Sequence, residues 1–219
     1  MSIYTDPHFE KSVLITIDMQ NDFVLDGAPA QIDGSLEIVP SIVRLLKTYR
    51  EAGLPIVHVI RLYLKDGTNV DLCRRELIEG GVQIVVPDSQ GAELVDALKP
   101  SPTVMLDAAA LLSGRLQRID DNEYVMYKPR WGAFYKTPLE EHLKKIGVDT
   151  VVFSGCNFPN CPRTSIYQAS ERDHRIVLIK DAISRLYPRG KEEMRGIGVH
   201  LMESHDVADF DLFQESRQE

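Results

Sequence analysis

Cysteine is scarce in this 219-residue chain: three residues, Cys73, Cys156 and Cys161, with no CxxC pair among them. Three thiols cannot all pair within one chain, so neither a disulfide framework nor a zinc ribbon is indicated, and at least one thiol is free. Long apolar runs are missing too. No stretch approaches the roughly 20 uncharged apolar residues needed to cross a bilayer, and residues 1–7 show no basic region followed by an apolar run. A cytoplasmic protein without membrane partners is therefore expected. Cations are outnumbered, 25 Lys plus Arg against 33 Asp plus Glu for a formal net charge of -8. With no clustered basic face to neutralise phosphates, nucleic acid is not an expected partner. The chain also lacks GxxxxGK[ST] and GxSxG, which argues against phosphate-loop nucleotide chemistry and against a serine hydrolase elbow.

What remains is ordinary globular composition, 43% apolar and 26% charged, enough for one core. Val13-Leu-Ile-Thr-Ile17 is a nearly continuous apolar run of the kind buried on both faces of a parallel sheet, and it ends on Asp18. Ile38, Ile42, Leu45, Leu46 and Tyr49 follow at helical spacing, Gly53 marks a stop, and Pro55-Ile-Val-His-Val-Ile60 forms a second strand. Strand, helix, strand is the βαβ unit. In the second half, Glu123-Tyr-Val-Met-Tyr127, Thr150-Val-Val-Phe153 and Arg175-Ile-Val-Leu-Ile179 are strands. Helices are expected from Thr137-Pro-Leu-Glu140, a capping box with proline at the first helical position, to Gly147, and over 162–172 and 191–202. The fold class is α/β, a single-domain three-layer α/β/α sandwich with a mainly parallel sheet. Residues 80–122 form an irregular excursion that walls the site or joins subunits, and residues 214–219 are a tail.

Ligands of open parallel sheets bind beyond the carboxyl ends of the strands. Three polar groups fall there: Asp18, Lys128 and the Ser154-Gly155-Cys156-Asn157-Phe-Pro-Asn-Cys161 turn. Pro162 as the first helical residue would put Cys161 at a helix N-cap, where backbone N–H groups and a nearby lysine favour thiolate and lower its pKa toward neutrality. Each residue also has a plain reading: a free cysteine is usually a small buried hydrophobe, an aspartate caps turns, and a lysine is usually solvated. A carboxylate, a cation and a thiol converging on one crevice make a nucleophile-activating set.

The motifs Ile17-Asp-Met-Gln-Asn-Asp-Phe23, Lys128-Pro-Arg-Trp-Gly-Ala-Phe134, Gly155 with Cys161, and Ile179-Lys-Asp-Ala182 resemble the isochorismatase-like cysteine hydrolases over nearly the whole chain. The resemblance implies a parallel sheet flanked by helices and a catalytic triad of Asp18, Lys128 and Cys161. It also implies a cis peptide between Cys156 and Asn157, with the Asn157 and Cys161 N–H groups as an oxyanion hole. The nicotinamidase branch carries a His-x-His metal site, where this chain has His58-Val-Ile-Arg61, so no metal and no cofactor are expected. A nucleophilic cysteine favours the amide-hydrolysing branch over vinyl ether cleavage. The remaining alternative is a catalytically silent binding protein. The resemblance further suggests a small-molecule amide substrate and a homodimer or homotetramer, and Cys156-Asn-Phe-Pro-Asn-Cys-Pro-Arg163 resembles the subgroup that includes streptothricin hydrolases.

Near the triad in sequence, Asn21, Phe23, Trp131, Phe134 and Tyr135 are candidate substrate-binding residues, with core packing the competing role for the aromatics and support of Asp18 the competing role for Asn21. Arg61, Arg74, Arg75 and Arg163 are candidates for bidentate carboxylate binding, a surface position or an ion pair being the default for each. His58 is expected to be a satisfied core histidine.

Overall fold

A computed structural model describes residues 2–209. Seven strands form one sheet in the order β3-β4-β2-β1-β5-β6-β7, parallel throughout except for the antiparallel pair β3 and β4. Their spans are β1 Ser12–Ile17, β2 Ile56–Ile60, β3 Gln117–Asp120, β4 Glu123–Tyr127, β5 Thr150–Gly155, β6 Arg175–Ile183 and β7 His200–Met202. The helices are α1 Asn21–Val24, α2 Val39–Glu51, α3 Leu72–Glu79, α4 Ala108–Leu112, α5 Leu139–Lys145, α6 Cys161–Ser170, α7 Pro188–Gly196 and α8 Ser204–Asp209.

Alternation along the central strands explains the three layers. Leu14, Ile56, Ile60, Val152, Val177 and Ile179 point into one core beneath α2, while Val13, Ile15, Val57, Val59, Val151, Phe153, Ile176 and Leu178 point into the other beneath α5 and α6. Both faces are covered, so the strands read as unbroken apolar runs rather than as alternating ones. Connections leave β1 toward β2 and β4 on one side and return to β5, β6 and β7 on the other. The order therefore reverses between β1 and β5, and a crevice opens at their carboxyl ends. Among the described residues no helix is long and apolar enough to cross a membrane.

Three expectations shift. The span 191–202 is not one helix: α7 ends at Gly196, Gly198 takes a positive φ of 82°, and residues 200–202 add the edge strand β7. The capping box of α5 does not form, because the Thr137 hydroxyl donates to the Ala133 carbonyl and the helix begins one residue later, after Pro138. The excursion is partly regular, with two 3₁₀ turns, α4 and β3. It buttresses rather than walls the site. The Gln20 amide donates to the Arg61 and Ala92 carbonyls at 2.8 and 2.6 Å, Asn21 N–H donates to Glu93 O, and Val95 N–H donates to Met19 O, so residues 90–95 brace the segment after Asp18. The tail 214–219 lies outside the described residues.

Candidate active site

Asp18 leaves β1 with φ at 55°, a left-handed conformation that costs a non-glycine residue of order 1 kcal/mol or more and turns its carboxyl into the crevice. Its own N–H stays in the sheet, donating to Val59 O at 2.9 Å. Lys128 follows β4 and is wholly buried, and its Nζ donates to Asp18 Oδ2 at 2.9 Å. Asp18 Oδ1 is buried with no donor in hydrogen-bonding geometry. The Cys161 thiol lines the same crevice and interacts with this carboxylate. The structure thus brings together all three residues singled out from strand ends.

Gly155 makes the approach of β5 to β1 feasible. With φ at 111°, a side chain there would place its first carbon 2.2 Å from the Ile17 carbonyl oxygen, so only glycine fits. Cys156 then donates its N–H to Ile17 O and its thiol to Asp18 O at 3.1 Å. The Cys156–Asn157 peptide is cis. Cys161 is the first residue of α6 and Asn160 is the N-cap, so the helix starts one residue earlier than expected and Pro162 occupies its second position. Among the described residues neither Asn157 N–H nor Cys161 N–H has a hydrogen-bond partner, and both residues line the crevice.

The electrostatics correct one expectation. Burial, followed by the Asp18 carboxylate, pushes the Cys161 thiol up to about 11, and Lys128 and Arg61 only partly oppose it. Desolvation and the carboxylate outweigh the lysine and the arginine, which favours thiol over thiolate. Cys156 is pushed up as well, by burial first and then by Asp18. Cys73 is exposed and all three cysteines are free.

The crevice encloses about 300 Å³ with its mouth included, and Asp18, Phe23, Arg61, Tyr63, Asp71, Arg74, Trp131, Asn157 and Cys161 line it. Phe23 and Trp131 are where the sequence placed them. Asn21, Phe134 and Tyr135 are not. The Asn21 amide donates to Gln90 O at 2.7 Å, Phe134 packs in the core between Arg172 and His174, and Tyr135 is 44% exposed on the outer surface. Arg163 pairs with Glu193, away from the crevice, and Arg75 is not among its lining residues. Arg61 is only 2% exposed and bonds through Nη2 to Asp71 and to Tyr63 Oη. Tyr63, Asp71 and Gln20 escaped the sequence reading. The surplus of polar residues around Arg61-Leu-Tyr63 after a buried strand was the available signal. His58 is wholly buried, its two ring nitrogens occupied by Thr16 and Glu123.

A doubly wound α/β protein with a thiol, a carboxylate and an ammonium group gathered at its switch point belongs with the cysteine hydrolases in architecture. An isochorismatase domain model matches residues 12–108 and 109–204, and the chain belongs to the isochorismatase family. It is similar to a probable inactive nicotinamidase of Arabidopsis thaliana, 30% identical over 90% of this chain and 95% of that one. Among solved structures, an isochorismatase family protein from Desulfovibrio vulgaris superposes with a TM-score of 0.77 at 32% identity, covering 91% of this chain and 97% of the other. N-carbamoylsarcosine amidase from Thermoplasma acidophilum gives 0.68 at 26% identity, covering 89% and 96%.

Proposed function

We propose that the protein hydrolyses a carbon–nitrogen bond of a small amide, cyclic amide or ureido compound through a thioester on Cys161. The observation that carries this reading is the Asp18 carboxylate, bonded on one oxygen by Lys128 Nζ and left without a partner on the other, in the crevice that the Cys161 thiol also lines. Similarity to an amidase that acts on N-carbamoylsarcosine supports the choice of bond.

Asp18 takes the thiol proton as sulfur attacks the carbonyl carbon. A thiol raised to about 11 needs this concerted removal, since free thiolate is rare at neutral pH. The new oxyanion accepts hydrogen bonds from the open Asn157 and Cys161 N–H groups. Collapse breaks the C–N bond, Asp18 returns its proton to the leaving amine, and the acyl group remains on sulfur. Water then attacks the thioester while Asp18 accepts its proton. C–S cleavage releases the acid, and the proton goes back to the thiolate. Lys128 keeps the carboxylate aimed through both halves, and no cofactor takes part.

A screen for ammonia or amine release over small linear and cyclic amides, with Cys161→Ser as the blank, tests the reading. Release by the wild type and none by the variant is expected, and equal rates would overturn it. A silent binding protein is the second reading, favoured by the plant relative whose name marks it as inactive. Stoichiometric loss of turnover on Cys161 alkylation separates the two.

A further inference from the structure

Arg61 and Arg74 have no part in the proton transfers just described, yet both line the crevice beside Asp18 and Cys161. Arg61 is buried, and its Nη1 has no hydrogen-bond acceptor although Nη2 is engaged by Asp71 and Tyr63. A guanidinium taken out of water with an open pair of N–H groups is an incomplete site, because buried donors are normally satisfied. Arg74, on α3, lies with its guanidinium 5.9 Å from the Phe23 ring and shares the Tyr63 hydroxyl with Arg61, at 3.3 Å from Nη1. No carboxylate is bonded to Arg74 among the described residues.

Charge bookkeeping points the same way. Buried Lys128 pairs with Asp18 and Arg61 pairs with Asp71, whereas Arg74, which also lines the crevice, has no carboxylate partner among the described residues. One positive charge is left over. Burial works against the Arg74 charge, and Tyr63, Cys161 and Asp18 outweigh that effect, which places this arginine within electrostatic range of the nucleophile. Arg61 acts on Cys161 likewise.

We infer that the substrate carries a carboxylate, held by Arg61 Nη1 and the Arg74 guanidinium a few bonds from the amide carbonyl that meets Cys161. The inference rests on the amidase reading for its substrate class and names the group that the crevice selects. An N–H fork meeting a carboxylate forms charge-assisted bonds that a neutral isostere cannot replace.

Iodoacetate and iodoacetamide, an anion and its near-isosteric neutral amide, test the inference without requiring turnover. Either forms a C–S bond to Cys161 with loss of iodide, the thiol proton passing to Asp18, and adduct formation at Cys161 is followed by peptide mass spectrometry. The ratio of the two rates, divided by the same ratio for glutathione, is expected to be about tenfold or more in favour of iodoacetate, the worth of one charged hydrogen bond. Arg74→Gln should bring it back near one, and Arg61→Lys, which keeps the charge but removes the fork, should lower it in part. A wild-type ratio equal to that of glutathione, or one unmoved by Arg74→Gln in protein with native far-ultraviolet circular dichroism, would overturn the inference. In parallel, succinamate is expected to be hydrolysed at least about tenfold more efficiently in kcat/KM than its methyl ester. Equal hydrolysis of the two removes the carboxylate site and leaves the amidase reading intact. An alkylation preference without hydrolysis of any amide supports the anion site and removes the amidase reading.

Discussion

Strands β1, β2 and β4 carry a buried polar cluster toward each end, and the two clusters are built differently. Near the start of β4, Glu123 accepts from Arg50 Nε, Arg50 Nη2 and His58 Nε2, each at 2.8 Å, and His58 Nδ1 meets Thr16 Oγ1 at 2.7 Å. Both carboxylate oxygens are used. Beyond the other end of the same strand, Lys128 serves one oxygen of Asp18 and the second is left open, as are Arg61 Nη1 and Asn157 Oδ1 nearby. A closed network holds strands together. An open one keeps unspent hydrogen-bonding capacity, and in a crevice that capacity is available to a substrate.

The comparison is broken most directly at the nucleophile. Cys161→Ala is expected to cut amide turnover by at least about 10⁴-fold. The thermal midpoint should stay within a few degrees, as seen by calorimetry. Full activity in this variant would empty the open cluster of chemistry. Charge removal comes next. Lys128→Met strands the buried Asp18 carboxylate and should cost about 3–5 kcal/mol in urea unfolding, while Glu123→Gln, which leaves the partly exposed Arg50 without its counter-charge, should cost about 3 kcal/mol or less. Only Lys128→Met should also abolish turnover per folded molecule, and a Glu123→Gln protein that folds but fails to turn over would dissolve the distinction.

Acid sharpens it further. Burial alone would raise Glu123, but hydrogen bonds from Arg50 and His58 hold it down at about 2, below its ordinary 4.5. A carboxylate depressed on folding contributes stability above pH 4.5 that is lost as the pH falls toward 2. That is about 3 kcal/mol across the window, and the acid slope should flatten in Glu123→Gln. The smallest effect belongs to neither cluster. Cys73→Ser, at an exposed position, should change stability by less than about 0.5 kcal/mol and leave amide turnover unaltered.

Much of the fold was legible because parallel strands buried on both faces write themselves as apolar runs. The stretches at 13–17, 123–127, 150–153 and 175–179 all lie inside observed strands, and the one at 55–60 starts a single residue before β2. Asp18 and Lys128 followed directly, since they are the first polar residues beyond such runs. What could not be read depends on contacts distant in sequence. The pairing of Arg61 with Asp71, and the brace from Gln20 to Ala92, are side-chain meetings between irregular segments that leave no periodic trace. The pKa of Cys161 was misjudged for a related reason. Helix start and lysine were visible locally, whereas burial is a property of the assembled core. Strand β7, three residues long and half-buried, was absorbed into a helical pattern that the two glycines at 196 and 198 interrupt.

The Cys156 N–H and thiol are both anchored on β1, to the carbonyls of Ile17 and Asp18, while Asp18 N–H is anchored on β2. The base and the start of the turn that leads to Cys161 are thereby sewn to adjoining links of one central ribbon. In deuterated solvent the amide protons of Asp18 and Cys156 should exchange together, at the slow pace of whole-molecule opening. The base and the head of the nucleophile's turn then part only when the sheet itself does.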